Sequence, residues 1–369
     1  MIQSYWSDNM FSKEIDYILL TVGVTFLFTA LIMPFMAKIA KHVNAIDEPR
    51  TRHIHKIPMP KLGGLGIFFG FLFGYMLFGV NSIQMNSVLI GSFIIIIVGI
   101  IDDIKPIKSM QKLLGQTVAA LVIITYGNIV LSHATVFGLD IQFGIFKYPI
   151  TLLFILGCVN IINLIDGLDG LSSGISSIFF ITIGIISFFQ GKLETLGAII
   201  TFIMLGATLG FLVHNFYPAK IFAGDCATFM GFIIGVITLL EFKGPALISF
   251  FVPVAILGIP ILDTLFAIIR RLLKGQPPFK ADKQHLHHQL LGMNFSQTVT
   301  VLIIYGINIL FATATLIFVL KDPMVGQILF IIIFVLVAWF VFHTTIISDK
   351  NPERVKKLEE KIGIRKNNK

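Results

Sequence analysis

The chain has 369 residues, of which 56% are hydrophobic and 13% charged, and its mean hydropathy is +0.89. That balance excludes a water-soluble domain and places the chain among integral membrane proteins. The formal charge of +8 forms no basic stripe interleaved with stacking aromatics, which argues against nucleic acid, and two cysteines, Cys158 and Cys226, leave no disulfide framework or zinc spacing.

Eleven segments are apolar and long enough to span a bilayer, near 17–37, 62–80, 86–104, 111–127, 148–165, 171–189, 194–213, 221–241, 245–272, 297–320 and 324–346. Residues through Asp16 lack a basic n-region, and Tyr17 to Ala37 is too long for a signal-peptide core, so the first segment is expected to stay as a span. Of the 28 Lys and Arg residues, 23 fall in one alternating set of connections and 5 in the other. The rich set belongs in the cytoplasm, with the N-terminus outside and the C-terminus inside. The expected fold is therefore an all-α, polytopic membrane protein of about eleven transmembrane helices. It is read as one integral-membrane domain over 1–349 with cytoplasmic active-site loops, followed by a basic cytoplasmic tail over 350–369.

In chain order, connection 38–61 is a basic, proline-stiffened loop. It leads to Gly63-Gly64-Leu-Gly66, glycines that permit close approach to a helix or a phosphate. The third segment ends in Asp102-Asp103, two carboxylates that oppose the helix dipole. Such a placement serves a cation or a proton; Lys105 and Lys108 as plain neutralising partners are the alternative. Residues 128–147 alternate in polarity and read as an external hairpin turning near Gly138 and Asp140.

The fifth segment ends in Asn160-Ile-Ile-Asn163-Leu-Ile-Asp166-Gly-Leu-Asp169-Gly. A turn between two spans needs one Asp and one Gly; two amides and two carboxylates at a membrane edge indicate a site. Gly224-Asp225 starts the eighth segment, where Asp is also a common N-cap. The loop 270–296 carries Lys280, Lys283 and His285-Leu-His287-His288. The histidine spacing is no familiar zinc pattern, and imidazoles beside lysines suit pyrophosphate oxygens. Asp263 stays open between a cavity role and helix pairing. Together these hard oxygen donors favour Mg2+, with Mn2+ as the alternative, joined to a substrate phosphate.

Five motifs, Pro58-Met-Pro-Lys-Leu-Gly-Gly64, Asp102-Asp103, Asn160 to Gly170, Gly224-Asp225 and His285 to His288, stand in the order found in one family. The chain resembles the polyprenyl-phosphate N-acetylhexosamine-1-phosphate transferases, of glycosyltransferase family 4 type, and within them the WecA and TagO branch. The resemblance implies transfer of GlcNAc-1-phosphate from UDP-GlcNAc to undecaprenyl phosphate, giving UMP and GlcNAc-diphospho-undecaprenol. This would be the first membrane step of teichoic acid or O-antigen type (lipopolysaccharide) synthesis, at the cytoplasmic face of a bacterial plasma membrane.

By matching position, the resemblance implies a catalytic set of Asp102, Asp103 and Asp166, with Asp102 as the candidate base. Asn163 and Asp225 would contact the metal, and Lys56, Asn163 and Asp169 the nucleotide. His285, His287, His288 and Lys283 would bind the diphosphate or sugar, while Asn160, Gly63 and Gly64 support the site. The expected partners are UDP-GlcNAc, undecaprenyl phosphate and membrane lipids, with no nucleic acid and with a homodimer left open. The rivals are the same reaction with another UDP-HexNAc sugar, and a transporter or flippase of lipid-linked solute. Transport predicts midplane charges and related halves, whereas these carboxylates crowd one interface and no repeat is visible.

Overall fold

The computed structural model describes residues 2–48, 58–136, 139–241, 258, 261–262 and 286–350. The described elements are α1 (Ile2–His42), β1 (Ile46–Asp47), β2 (Met59–Pro60), α2 (Gly63–Phe78), α3 (Ile83–Ile104) and α4 (Ser109–Thr125). These are followed by β3 (His133–Val136), β4 (Leu139–Gln142), α5 (Lys147–Ile165), α6 (Leu171–Phe189), α7 (Leu196–Asn215) and α8 (Thr228–Glu241). The remainder are α9 (Leu286–Gly292), α10 (Gln297–Leu320) and α11 (Pro323–Lys350). Among the described residues seven helices are long and apolar enough to cross a membrane, and α2 and α4 are shorter apolar helices. The protein is an all-α, polytopic membrane protein. Ten of the eleven expected spans coincide with helices; the ninth, 245–272, lies largely outside the described residues.

Helix starts follow local chemistry. The hydroxyls of Ser82, Thr195 and Ser296 accept the backbone N–H groups of Met85, Ala198 and Val299, capping α3, α7 and α10. The hairpin expected within 128–147 is present as β3 paired antiparallel with β4. A second short pairing, β1 with β2, closes the connection after α1.

Internal contacts divide the chain into two compact units, 1–254 and 255–369. In the first, α1, α2 and α7 pack closely because small residues face one another. A Cβ on Gly206 would collide with Thr25 Oγ1, and one on Gly210 would lie 2.5 Å from the Phe26 carbonyl. Pro34 lies inside α1 and has no N–H for the Ala30 carbonyl. His214 Nε2 supplies the missing donor at 2.9 Å, joining the end of α7 to α1. Phe68 packs edge-on against Phe93 and Phe229, tying α2 to α3 and α8. In the second unit, α10 packs on α11, with Phe311 against Phe330.

Candidate active site

The site is built where three distant segments meet at one end of the first unit. Its floor is main chain. Phe222 donates to the Pro60 carbonyl at 2.9 Å, while Gly63 and Gly64 donate to Phe222 and Ala223 at 2.9 and 3.0 Å. A Cβ on Gly64 would come within 2.5 Å of Cys226 backbone, and one on Gly63 within 2.7 Å of the Phe222 carbonyl. Close approach explains both glycines.

On this floor Asp102 and Asp103 leave the last turn of α3. Asp102 Oδ1 accepts the Ile107 N–H at 2.8 Å, fixing the turn into α4. Its Oδ2 lies 2.6 Å from Lys112 Nζ, and the same ammonium lies 2.6 Å from Asp225 Oδ1. Asp103 is fully buried and faces the other way. Its Oδ1 accepts the Asp225 N–H at 2.9 Å and Oδ2 lies 3.4 Å from the Cys226 nitrogen, with Lys61 Nζ 3.9 Å from Oδ1. Gly224, at φ +71°, makes this possible, since a Cβ there would meet the Lys61 carbonyl and both Asp103 oxygens. Burial pushes Asp225 up to about 6, with Asp102 adding to the rise and the Lys112 ammonium opposing it.

The loop after α5 forms the neighbouring wall. Asp166 accepts the Ser172 hydroxyl, and burial pushes its carboxyl up to about 7, the charges of Asp225 and Asp169 contributing to the rise. Asp169 Oδ2 accepts the Ala219 N–H at 2.9 Å. Asn215, buried at the end of α7, joins the wall to the next loop. Its Oδ1 accepts from Gly170 N–H and the Ser173 hydroxyl, and its Nδ2 donates to the Ile221 carbonyl. Asn160 donates to Gln116 Oε1 at 3.0 Å and to the Leu156 carbonyl at 2.8 Å, tying α5 to α4. Asn163 is half-buried one turn further on.

Among the described residues no three His, Cys, Asp or Glu side chains form a metal-binding set. A Mg2+ ion would need only one or two protein carboxylates, its shell being completed by water and substrate phosphate. Asp102 and Asp225 already converge on one positive charge, the Lys112 ammonium. All the donors are hard oxygens. At that point two carboxylates share one ammonium.

Asp102, Asp103 and Asp225 are thus brought together, and Asp166 is near enough to Asp225 and to Asp169 to feel both charges. Lys56, Lys283 and His285 lie outside the described residues, as do Asp263 and Lys280. His287 and His288 stand in α9 of the second unit, and their side chains are outside the description. Sequence reasoning missed Lys112, Asn215 and Gln116. In the sequence Lys112 is one basic residue among the 23 of the lysine- and arginine-rich connections. Its position in the first turn of α4, just across a short turn from Asp102, was the available signal.

The glycosyl transferase family 4 pattern matches residues 85–241, which include the Asp102, Asn160–Asp169 and Asp225 segments. The chain is 38% identical over 332 residues, 89% of its own length and 92% of the other's, to the probable undecaprenyl-phosphate N-acetylglucosaminyl 1-phosphate transferase of Bacillus subtilis. It is 33% identical over 315 residues to the decaprenyl-phosphate N-acetylglucosaminephosphotransferase of Mycobacterium tuberculosis, covering 75% of this chain and 78% of that one. It is 31% identical over 279 residues to the undecaprenyl-phosphate alpha-N-acetylglucosaminyl 1-phosphate transferase of Escherichia coli K12, covering 73% and 76%.

Proposed function

The chain belongs to glycosyl transferase family 4 and is a membrane phosphotransferase, and on that premise we propose that it transfers GlcNAc-1-phosphate from UDP-GlcNAc to undecaprenyl phosphate. The observation that carries this reading is the convergence of Asp102 and Asp225 on one ammonium at the membrane edge. The names of the relatives supply the lipid phosphate and the sugar.

In this reading an oxygen of the lipid phosphate attacks the β-phosphorus of UDP-GlcNAc. A new P–O bond forms, and the bond from that phosphorus to the bridging oxygen breaks, its electron pair leaving with UMP. Asp102 orients the attacking phosphate and accepts its proton where one remains. A phosphate monoester with a second pKa of about 6 needs little deprotonation. Asp103 holds the Asp225 backbone, and Asp166 steadies the adjoining wall. Lys112 exchanges a carboxylate for a phosphate oxygen as the diphosphate arrives. Mg2+ held by Asn163 and Asp225 would neutralise the diphosphate charge. Lys56 and Asp169 would serve the nucleotide, and Lys283 with His285, His287 and His288 the diphosphate or sugar.

The lysine bias of the connections supports a cytoplasmic site in a bacterial plasma membrane. The product would be the first lipid-linked sugar of a cell-surface glycan. The test uses purified protein, Mg2+, undecaprenyl phosphate and UDP-GlcNAc. UMP with a butanol-extractable GlcNAc lipid is the expected result. Release of UDP would mean transfer of the sugar alone and overturn the reading.

A further inference from the structure

A largely apolar recess with basic residues in its lining opens where α1 and α7 end, and its lining includes none of the carboxylates. It has a volume of about 330 Å3, an apolar base that includes Met33 and Pro34, and a rim of Lys38, Lys41, His214 and Lys220. Among the described residues Lys38, Lys41 and Lys220 form no ion pair with a described carboxylate. His214 Nε2 carries its proton toward the Ala30 carbonyl, which can only accept, and this bond fixes the ring at the α1–α7 seam. The His214 carbonyl in turn accepts the Lys220 N–H at 2.8 Å, bringing the third lysine back to the rim.

The surface leading to this rim is apolar. Leu31 is 78% exposed, Phe35 59% and Val213 58%. Leu31, Phe35 and Lys38 follow one another at i, i+4 and i+7, so they share one face of α1. In a membrane protein such a face meets acyl chains, and lysines at its end reach the headgroup layer. An apolar track that ends at three unmatched ammoniums has the polarity of a phospholipid with a net negative head.

We propose that this recess binds the phosphate headgroup of an anionic glycerophospholipid, with the acyl chains lying along Leu31, Phe35 and Val213. The proposal depends on the membrane setting and the charge pattern, not on the reaction at the carboxylates.

The test is native mass spectrometry of the full-length protein released from detergent. It is titrated with phosphatidylglycerol or phosphatidylcholine of identical chains. The wild type is expected to prefer phosphatidylglycerol, each ammonium being worth roughly fivefold. The triple variant Lys38→Gln, Lys41→Gln, Lys220→Gln should lose the preference, whereas the three Lys→Arg changes should keep it. Should the triple Gln variant not be recovered, each single Gln change should lower the preference by itself. An undiminished preference in the Gln variants overturns the proposal. So does an equal loss in Lys192→Gln with Lys321→Gln, charges placed elsewhere. Displacement of the lipid by millimolar inorganic phosphate would also overturn it, because the recess would then be a free-phosphate site.

Discussion

Asp103 holds Asp225 by its backbone: the buried Asp103 Oδ1 accepts the Asp225 N–H at 2.9 Å, leaving the Asp225 carboxylate free to meet Lys112. The two acids therefore respond differently to loss of charge. Asp103→Asn turns an amide NH2 toward backbone donors, at a cost of about 1–3 kcal/mol for unsatisfied buried groups. It is expected to lower the melting temperature and to abolish turnover. Asp225→Asn should abolish turnover while the protein melts near the wild-type temperature, because it removes a carboxylate that burial disfavours. Turnover assays and thermal melts in detergent check both, and near-normal activity in Asp225→Asn would sink its assignment to the metal.

Lys112 is the charge that keeps Asp102 and Asp225 together. In Lys112→Met the two carboxylates face each other unscreened. The metal-free variant should melt below the wild type and lose at least most of its activity. Mg2+ should raise its melting temperature more than it raises that of the wild type, since ligand binding stabilises the folded state by mass action. Equal shifts would mean that the lysine and the cation do not share those carboxylates.

Asp166 sets a pH dependence. Its carboxyl rises from 3.8 to about 7 on folding, burial being the main cause. The folded state then holds the proton more tightly than the unfolded chain. This contribution to stability is complete below 3.8 and is lost as pH rises through about 7. Asp166→Asn keeps an acceptor for the Ser172 hydroxyl but has no proton to lose. Without added metal, its melting temperature relative to wild type should be more favourable at pH 8 than at pH 5. A difference independent of pH would refute the shift.

Gly224→Ala should be severe. Its φ of +71° strains any side chain, and the new Cβ would meet the Lys61 carbonyl and the Asp103 carboxylate. Backbone strain alone costs about 1–3 kcal/mol. Gly157→Ala, with nothing within 4 Å of the added atom, is the matched control and should leave melting and turnover unchanged.

Much of this architecture can be read from the chain. Long apolar runs broken by Ser82, Thr195 and Gly170 give helices that start and stop where local capping and turn chemistry require. The acids of the site were legible because carboxylates and amides at membrane edges are costly and therefore conspicuous. Their partners were not. Lys112 looks like any lysine of a basic connection, and Asn215 like the polar last residue of a helix. Gln116 sits in an apolar run with no sign that Asn160 will reach it. Spacing reports what lies on one helix; which helices meet depends on tertiary packing. Asp103 shows the same limit, since nothing local says that its oxygens serve a backbone far along the chain.

The pairing of Asp102 with Lys112 also bears on biosynthesis. A carboxylate carried to the membrane boundary needs a counter-charge as soon as its helix inserts. Asp225 is translated only after α5, α6 and α7, whereas Lys112 follows Asp102 across one short turn. The α3–α4 hairpin can thus leave the translocon with its own neutralising ammonium. In that order of synthesis the acid at the heart of the site would be shielded while the nascent chain still lacked the segment that completes it.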